Sequence, residues 1–352
     1  MQGQNSTFSL ALPFRRHLAC VQTHLKTNPK TSATHDLPSV SVVIPTYLRP
    51  EMLLKCVESI LAGSRRPDEI LVVGRDGDGQ TREAIEKLET APHPGVVIHS
   101  AWVSVPGHVP PVETGARMAS GDLVAIVDDD ATVTPEWLSA LVPHFADPNI
   151  GVVGGRVLVP GMPLPKLKGK PGCVSWYGKQ WANLGWVGGD VSFPVDSLME
   201  GNSIWRRKLL SSLEFDPVLN FDDAVMYGLD LCLQVKERGL KLIYEPRALL
   251  YHHSAPRAPE LDRREHGLRL FCLCRNYTYI ILKRFPLWRR LVFLGWWFLI
   301  GERGAWGLGS LVVDTFQSGW RKKRYVTQAW RGKMEGIQLR LRPRNMPDPP
   351  QI

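Results

Sequence analysis

Short apolar runs alternate with amphipathic stretches through the first part of the chain. Continuous apolar runs are typical of strands buried on both faces of a parallel sheet. The stretches between them carry apolar residues at helical spacing, as Leu53, Val57 and Ile60 do. This alternation predicts an α/β domain with a doubly wound, mostly parallel sheet flanked by helices. The first predicted strands are Val40–Ile44, Ile70–Val73, Val96–Ile98 and Leu123–Val127.

The later part of the chain predicts further helices and strands around a loose stretch rich in Gly, Pro and Trp, from Pro160 to Val195. Gly239 ends one of these helices, because glycine readily adopts the left-handed conformation found after a helix. The last strand delivers His252 and His253. These elements are the helices Val112–Ser120 and Pro135–Phe145, the strand Gly151–Val159, the helix containing Asp230–Val235, and the strands Leu240–Tyr244 and Ala248–Tyr251.

Three consecutive aspartates, Asp128, Asp129 and Asp130, follow the apolar run that ends at Val127. The carboxyl ends of parallel strands form the sheet edge at which α/β proteins bind ligands. Side chains alternate along an extended chain, so Asp128 and Asp130 are predicted to point into one cleft while Asp129 faces away. Two convergent carboxylates suit Mg²⁺ or Mn²⁺. The alternative is an ordinary acidic connection to the next helix, whose first turn is Thr134-Pro135-Glu136.

Charge and tryptophan concentrate near the carboxyl terminus. The 352-residue chain carries a net charge of +9, and residues 283–344 hold 14 Lys or Arg against three acids. Six of the twelve Trp lie between Trp288 and Trp330, beside an apolar run that Glu302-Arg303 interrupts. That run is too short to span a bilayer, but interleaved Trp and basic residues are typical of helices at a lipid headgroup boundary. The alternative is a helical cap with a solvated basic face, and the apolar run disfavours nucleic-acid binding.

Composition divides the chain into four predicted regions. Residues 1–37 are a disordered leader without a secretory signal, and residues 38–258 are the α/β domain. Residues 259–344 are a helical, membrane-associating region, and residues 345–352 are a flexible tail. The six cysteines are scattered without a CxxC pair, which favours reduced thiols in a cytosol-like compartment over a disulfide or metal framework.

A glycine-rich turn follows the second predicted strand. Residues 74–79 alternate Gly with charged residues, which is ordinary turn chemistry. The spacing lacks the full dinucleotide fingerprint, so a Rossmann cofactor is not inferred.

The order of these features resembles the family 2 glycosyltransferases, inverting nucleotide-sugar enzymes with the GT-A fold. The resemblance runs from about Val40 to His253. It rests on five motifs in this order: Val42 to Tyr47 with Arg49-Pro50, Ala119 to Asp122, the aspartates, Gly201-Asn202 with Arg206-Arg207, and Asp230-Leu231 ahead of Pro246 and His252.

The resemblance implies a nucleotide pocket and a metal site. Pro45, Thr46 and Tyr47 would line the pocket, and a divalent ion would be held by Asp128 and Asp130, with His252 completing the shell and His253 as the second choice. Imidazole beside carboxylate suits Mn²⁺. The other residues predicted to contact the nucleotide sugar are Arg49, Asp76, Asp78 and Asp128.

The chain departs from the family pattern at the expected base. The family usually has Glu-Asp just before the Asp-Leu of the late helix, where this chain has Tyr227-Gly228. The proton-accepting carboxylate is therefore predicted nearby, first at Asp223, then at Asp222 or Asp230. Asp222 as a helix cap and Asp230 as a structural partner remain alternatives.

A second departure follows Val73. The usual Asp-Asp-Gly-Ser becomes residues 74–77, Gly-Arg-Asp-Gly, so Asp76 or Asp78 would replace the uracil-contacting aspartate, or a different base is bound.

The expected function is metal-dependent, inverting transfer of a sugar from a nucleoside diphosphate sugar to a glycan or lipid-linked acceptor. The expected setting is cell-surface polysaccharide biosynthesis at the cytoplasmic face of the cell membrane, with peripheral or monotopic attachment and no nucleic-acid partner. Two alternatives are a phosphotransferase of the haloacid-dehalogenase class, using Asp128 as nucleophile and Asp130 as acid or base, and a degenerate scaffold that binds sugar nucleotide at a membrane.

Overall fold

The structure is a computed structural model, and it describes residues 37–164, 169–221, 224–253, 266–302, 305–318 and 323–342. The predicted leader, apart from Leu37, and the predicted tail lie outside these residues. The boundary predicted between residues 258 and 259 stays a prediction.

Nine strands in the described residues form one sheet, in the order β3-β2-β1-β4-β8-β6-β9-β5, with β7 paired to β9. Six of them, β1 to β4, β6 and β9, run in the same direction, which confirms the mostly parallel α/β sheet. The strands are β1 (Val40–Pro45), β2 (Glu69–Arg75), β3 (Val97–Val103), β4 (Leu123–Val127), β5 (Ala131–Val133), β6 (Ile150–Leu158), β7 (Phe193–Val195), β8 (Asn202–Arg206) and β9 (Lys241–His252).

Helices cover both faces of the sheet. Along β1, Val43 joins one apolar cluster while Val42 and Ile44 join the other, which explains why the central strands read as unbroken apolar runs. The helices are α1 (Pro50–Leu61), α2 (Gly79–Thr90), α3 (Val109–Met118), α4 (Trp137–Leu141), α5 (Arg207–Leu210), α6 (Tyr227–Glu237), α7 (His266–Arg284), α8 (Leu287–Gly295), α9 (Leu308–Ser318) and α10 (Lys323–Leu341), with a π-helical turn at Trp296–Ile300 and 3-10 turns at Val142–Ala146, Asn183–Trp186 and Pro217–Leu219.

Two predicted elements have a different form in the structure, and β5, β7 and β8 were not predicted. The helix predicted over Pro135–Phe145 is the short α4 followed by a 3-10 turn, because Pro143 has no N–H to continue an α-helix. The two strands predicted after Gly239 are the single strand β9. Its pairing with β6 shifts register between Gly155 and Arg156, and the bulge accommodates Pro246, which cannot donate to the ladder.

The carboxyl-terminal helices are joined by a buried lysine. The Lys333 side chain, on α10, has no exposed surface and donates to the carbonyl oxygens of Trp297, Ala305 and Trp306 at 2.6, 3.0 and 2.9 Å. Its ammonium group also lies 4.2 Å from the Trp297 ring centroid. Burial lowers the pKa of Lys333 to about 8. The lysine therefore satisfies three carbonyls around the irregular turn after α8.

Within the described residues, no helix has both the length and the apolar character required to cross a membrane.

Replacing Lys333 with Met is expected to lower the free energy of unfolding by roughly 2–4 kcal/mol, because three buried carbonyl groups lose a charged donor. Chemical denaturation at neutral pH measures the change. Lys55→Met is the matched control, since Lys55 is exposed on α1, and it should change the unfolding free energy by less than about 0.5 kcal/mol. Equal effects of the two substitutions would contradict the structural role of Lys333.

Candidate functional site

Antiparallel pairing builds the site at the carboxyl end of β4. In the ladder between β5 and β9, Ala131 pairs with His252, so the histidine returns beside Asp130. The backbone N–H of His253 donates to the carbonyl of Asp130 at 2.8 Å and fixes this register. Neither β5 nor its pairing was predicted from the sequence, yet this pairing is what brings the two distant motifs together.

Asp128, Asp130 and His252 form a cluster whose ligand atoms all lie within 4.8 Å of one another. His252 Nε2 is 3.3 Å from Asp130 Oδ1. Asp128 Oδ1 is buried and has no hydrogen-bond partner among the described residues, with His108 Nε2 3.8 Å away. A buried carboxylate oxygen with no donor calls for a cation, and two carboxylates with one imidazole fit Mn²⁺. The predicted metal ligands therefore converge as a site that fits a divalent ion.

Asp129 had no role in the sequence prediction, but the structure gives it one. Thr46 Oγ1 donates to one carboxylate oxygen of Asp129 at 2.9 Å, and Arg49 donates to the other at 2.9 Å. The same Arg49 nitrogen reaches Asp130 at 3.2 Å. Burial raises the pKa of Asp129 to about 6, although Arg49 and Thr46 oppose the shift. Asp129 thus ties the turn after β1 to the end of β4.

The residues predicted to contact the nucleotide lie along that turn and its neighbour. The backbone N–H of Leu48, a residue with a positive φ of 55°, donates to the Asp78 carboxylate, which also caps α2 at Thr81. The guanidinium of Arg75 lies 4.7 Å from the Tyr47 ring centroid. Asp78 therefore shapes the turn that carries Tyr47 and Leu48.

Asp76 is the more accessible of the two acids in the turn after β2. Its side chain is 56% exposed and lies 4.0 Å from Arg82. With Pro45 at the end of β1, these residues share one edge of the sheet. The structure places them there, and their contacts with a nucleotide stay predictions.

A further carboxylate, that of Glu200, lies close to the cluster on the turn before β8. The ladder between β4 and β8 pairs Val127 with Asn202, which sets Gly201 against Asp128. A Cβ added to Gly201 would lie 2.2 Å from Asp128 Oδ2, and one added to Gly228 would lie 2.3 Å from Glu200 Oε2. Two glycines therefore leave the space that two carboxylates occupy.

Glu200 and its neighbour Tyr227 both have raised pKa values. Burial, helped by the charge of Asp128, raises the pKa of Glu200 to about 7. Burial also raises the pKa of Tyr227, whose hydroxyl has no hydrogen-bond partner among the described residues. The Tyr227 ring packs edge-on against His108, with centroids 5.5 Å apart. His108 and the carboxylate of Glu200 were not predicted as site residues, because only the folded chain brings them to Asp128.

The predicted base residues have different outcomes. Asp222 and Asp223 lie outside the described residues, so their roles stay predictions. Asp230 is 1% exposed on α6, and Arg284 Nε and Nη2 bind its two carboxylate oxygens at 2.6 and 2.7 Å. Gln234 donates to it as well, at 3.0 Å. Asp230 therefore joins α6 to α7 as a buried ion pair, which corresponds to the structural alternative.

Most strands of the sheet lie within a family match. Residues 41–195 match the sequence model of glycosyl transferase family 2. This part of the chain belongs to glycosyl transferase family 2. The glycosyltransferase match contains β1 to β7 and the aspartates, while Glu200, β8, β9 and His252 come after it.

Curated relatives agree with this family. The chain is 28% identical over 246 residues to an O-antigen biosynthesis protein of Myxococcus xanthus, covering 64% of this chain and 18% of that protein. It is 34% identical over 126 residues to a glucosyl-dolichyl phosphate glucuronosyltransferase of Haloferax volcanii, covering 34% of this chain and 38% of that protein. The chain thus spans well under half the length of either relative.

Solved glycosyltransferase structures share the fold. A mannosyltransferase from Pyrobaculum calidifontis, in complex with GDP-Man and Mn²⁺, superposes with a TM-score of 0.52 at 17% identity, covering 86% of this chain and 87% of that one. TarS of S. aureus, residues 1–349 with UDP-GlcNAc, gives a TM-score of 0.52 at 15% identity, covering 85% and 81%. At these identities the likeness concerns the fold alone, which is of the GT-A type.

Replacing Gly201 with Ala is expected to weaken Mn²⁺ binding by about tenfold or more, because the new methyl group must displace the Asp128 carboxylate. Titration calorimetry with Mn²⁺ and a nucleoside diphosphate measures the affinity. Gly79→Ala is the control, since a Cβ there meets nothing within 4 Å. Unchanged Mn²⁺ affinity in Gly201→Ala would contradict the assignment of Asp128 as a ligand.

Proposed function

We propose that this chain transfers a sugar from a nucleoside diphosphate sugar to a glycan or lipid-linked acceptor, with inversion at the sugar carbon and dependence on Mn²⁺ or Mg²⁺. The observation that carries the proposal is that Asp128 and Asp130, which lie within the residues that match glycosyl transferase family 2, converge with His252. Two relatives support a role in surface glycan assembly, since one is an O-antigen biosynthesis protein and one is a glucosyl-dolichyl phosphate glucuronosyltransferase.

The chemistry explains the residue types at the sheet edge. Negative charge develops on the departing diphosphate, and a divalent ion would neutralise it there. Asp128, Asp130 and His252 would hold that ion. Arg49 and Thr46 bind the Asp129 carboxylate, and Arg49 also contacts Asp130, so the charge of Arg49 offsets the repulsion between these two acids. The turn from Pro45 to Arg49 and Asp76 would orient the nucleotide.

A thermal-shift screen of nucleoside diphosphates with Mn²⁺ should identify the donor nucleotide, since a ligand that binds only the folded protein raises its melting temperature. Transfer from the matching nucleotide sugars is then measured. Asp130→Asn is expected to lower kcat by about a hundredfold or more, while Glu89→Gln, on the exposed face of α2, should leave it unchanged.

Two results would contradict the proposal. A phosphoaspartate trapped at Asp128 without any nucleotide would favour the phosphotransferase alternative. Binding of nucleotide sugar without turnover, for any donor and acceptor, would favour the scaffold.

We also propose that the chain attaches to the cytoplasmic face of the membrane through an apolar stripe. Its residues share high exposure and follow helical spacing along α8 and its π-helical turn, where Leu287 and Leu291 are 68% and 62% exposed. Gly309, near the start of α9, lies against the backbone of Leu299 and Ile300, so α9 continues the surface. The stripe consists of Leu287, Trp288, Leu291, Leu299, Ile300, Leu308, Val312, Val313 and Phe316.

A lipid surface is the occupant that suits this stripe. Phe316 is 88% exposed, and burying such side chains among acyl chains is favourable. The same part of the sequence carries the excess of basic residues, which anionic headgroups attract. Acceptors carried on lipid would then meet the enzyme at the membrane.

The double variant Leu291→Glu and Phe316→Glu is expected to reduce binding to phosphatidylglycerol-containing vesicles about tenfold or more, because charge replaces buried apolar surface. Vesicle co-sedimentation of the full chain measures it. Val97→Glu is the control, because Val97 is 64% exposed on β3, away from the stripe. Equal losses in both proteins, or none in either, would contradict attachment through the stripe.

A further inference from the structure

Glu200 is a carboxylate beside the metal cluster that no role described so far uses. It lies on the turn before β8, where the N–H of Asn202 donates to the carbonyl of Met199 at 3.4 Å. The next residue, Gly201, lies against the Asp128 carboxylate. Among the described residues, no side chain pairs with the Glu200 carboxylate in an ion pair or hydrogen bond. Glu200 is half-buried, and a carboxylate withdrawn from water normally has such a partner.

The position of its carboxylate is set by a glycine on another element. Glu200 Oε2 lies 2.3 Å from the point where a Cβ of residue 228 would stand. The carboxylate therefore occupies the space that a side chain on the first turn of α6 would take. The family resemblance places an acid at that point of the sequence, where this chain has Tyr227-Gly228. Glu200 therefore places a carboxylate near that point of α6, from the turn before β8.

The titratable groups facing Glu200 are Asp128, Tyr227 and Cys232. Burial raises the pKa values of both the tyrosine and the cysteine, which keeps them neutral, so neither supplies a counter-charge. Asp128 would be engaged by the metal ion. Glu200 is then the carboxylate of this group that is left to accept a proton.

We propose that Glu200 is the proton acceptor for the acceptor hydroxyl in the sugar transfer, an assignment that rests on the proposed function. The hydroxyl proton passes to a Glu200 carboxylate oxygen while the hydroxyl oxygen forms the bond to the anomeric carbon. The bond from that carbon to the donor phosphate oxygen breaks, and its electron pair leaves with the nucleoside diphosphate. The proton then passes from Glu200 to water, so the carboxylate is regenerated.

The test compares Glu200→Gln with the wild type at saturating donor and acceptor. We expect kcat to fall by about 10²- to 10⁴-fold, the usual contribution of a general base. Affinity for the nucleoside diphosphate with Mn²⁺ should change by less than about threefold, since the base does not contact the leaving group. Glu89→Gln serves as the matched control and should keep full activity. Glu200→Gln retaining more than about a tenth of kcat would overturn the assignment.

A second variant guards against an effect on folding. Gly228→Ala adds a methyl group where the Glu200 carboxylate lies, and alanine within a helix raises stability over glycine by up to about 1 kcal/mol. We therefore expect a lower kcat without a lower melting temperature. A fully active Gly228→Ala would contradict the proposal.

The outcomes separate this assignment from the proposed function. If the wild type transfers sugar and Asp223→Asn abolishes transfer while Glu200→Gln does not, the base is Asp223 and the proposed function stands. If the wild type transfers no sugar from any donor, the proposed function fails, and this assignment fails with it.

Discussion

The pairing of Asp129 with Thr46 and Arg49 is the interaction on which the site depends. Three adjacent carboxylates at the end of a buried strand repel one another, and in a partly buried setting this repulsion is on the order of a few kcal/mol. Arg49 offsets it by contacting two of the three, at 2.9 and 3.2 Å. Because Thr46 and Arg49 follow β1, the same contacts fix the turn that the proposed nucleotide would meet. The Arg49 guanidinium thus joins the turn after β1 to the aspartates after β4.

Antiparallel pairings supply what the parallel strands β1 to β4 lack. The four parallel strands β1 to β4 carry the aspartates to one edge, but they bring no second kind of ligand. Strand β9 returns His252 through its pairing with β5, and β8 brings Glu200 and Gly201 alongside Asp128. Glycines at positions 201 and 228 leave room for two carboxylates where side chains would otherwise stand. The carboxylates, the imidazole of His252 and the glycines that leave room for them therefore come from separate elements, which meet only in the folded chain.

Much of the sheet could be predicted from the sequence, because strands buried on both faces require unbroken apolar runs. The aspartates could be placed at the sheet edge for the same reason. The pairing of β8 could not, since its residues Asn202 to Arg206 mix polar and apolar side chains and its register with β4 is set by packing. The direction of Asp129 away from the cleft stays a prediction from strand alternation, and its partners Thr46 and Arg49 could not be predicted. The sequence context of Asp230 suggested a base, and its ion pair with Arg284 could not be predicted because the two residues meet only in the folded chain.

The central claim is that Asp128, Asp130 and His252 hold one divalent ion for a nucleoside diphosphate. Anomalous scattering from crystals grown with Mn²⁺ and the diphosphate tests it most directly. The account predicts a single manganese peak bound by these three side chains at about 2.0–2.3 Å, with diphosphate oxygens completing the shell. A manganese peak bound elsewhere, or diphosphate bound in the cleft with no metal at these residues, would contradict it.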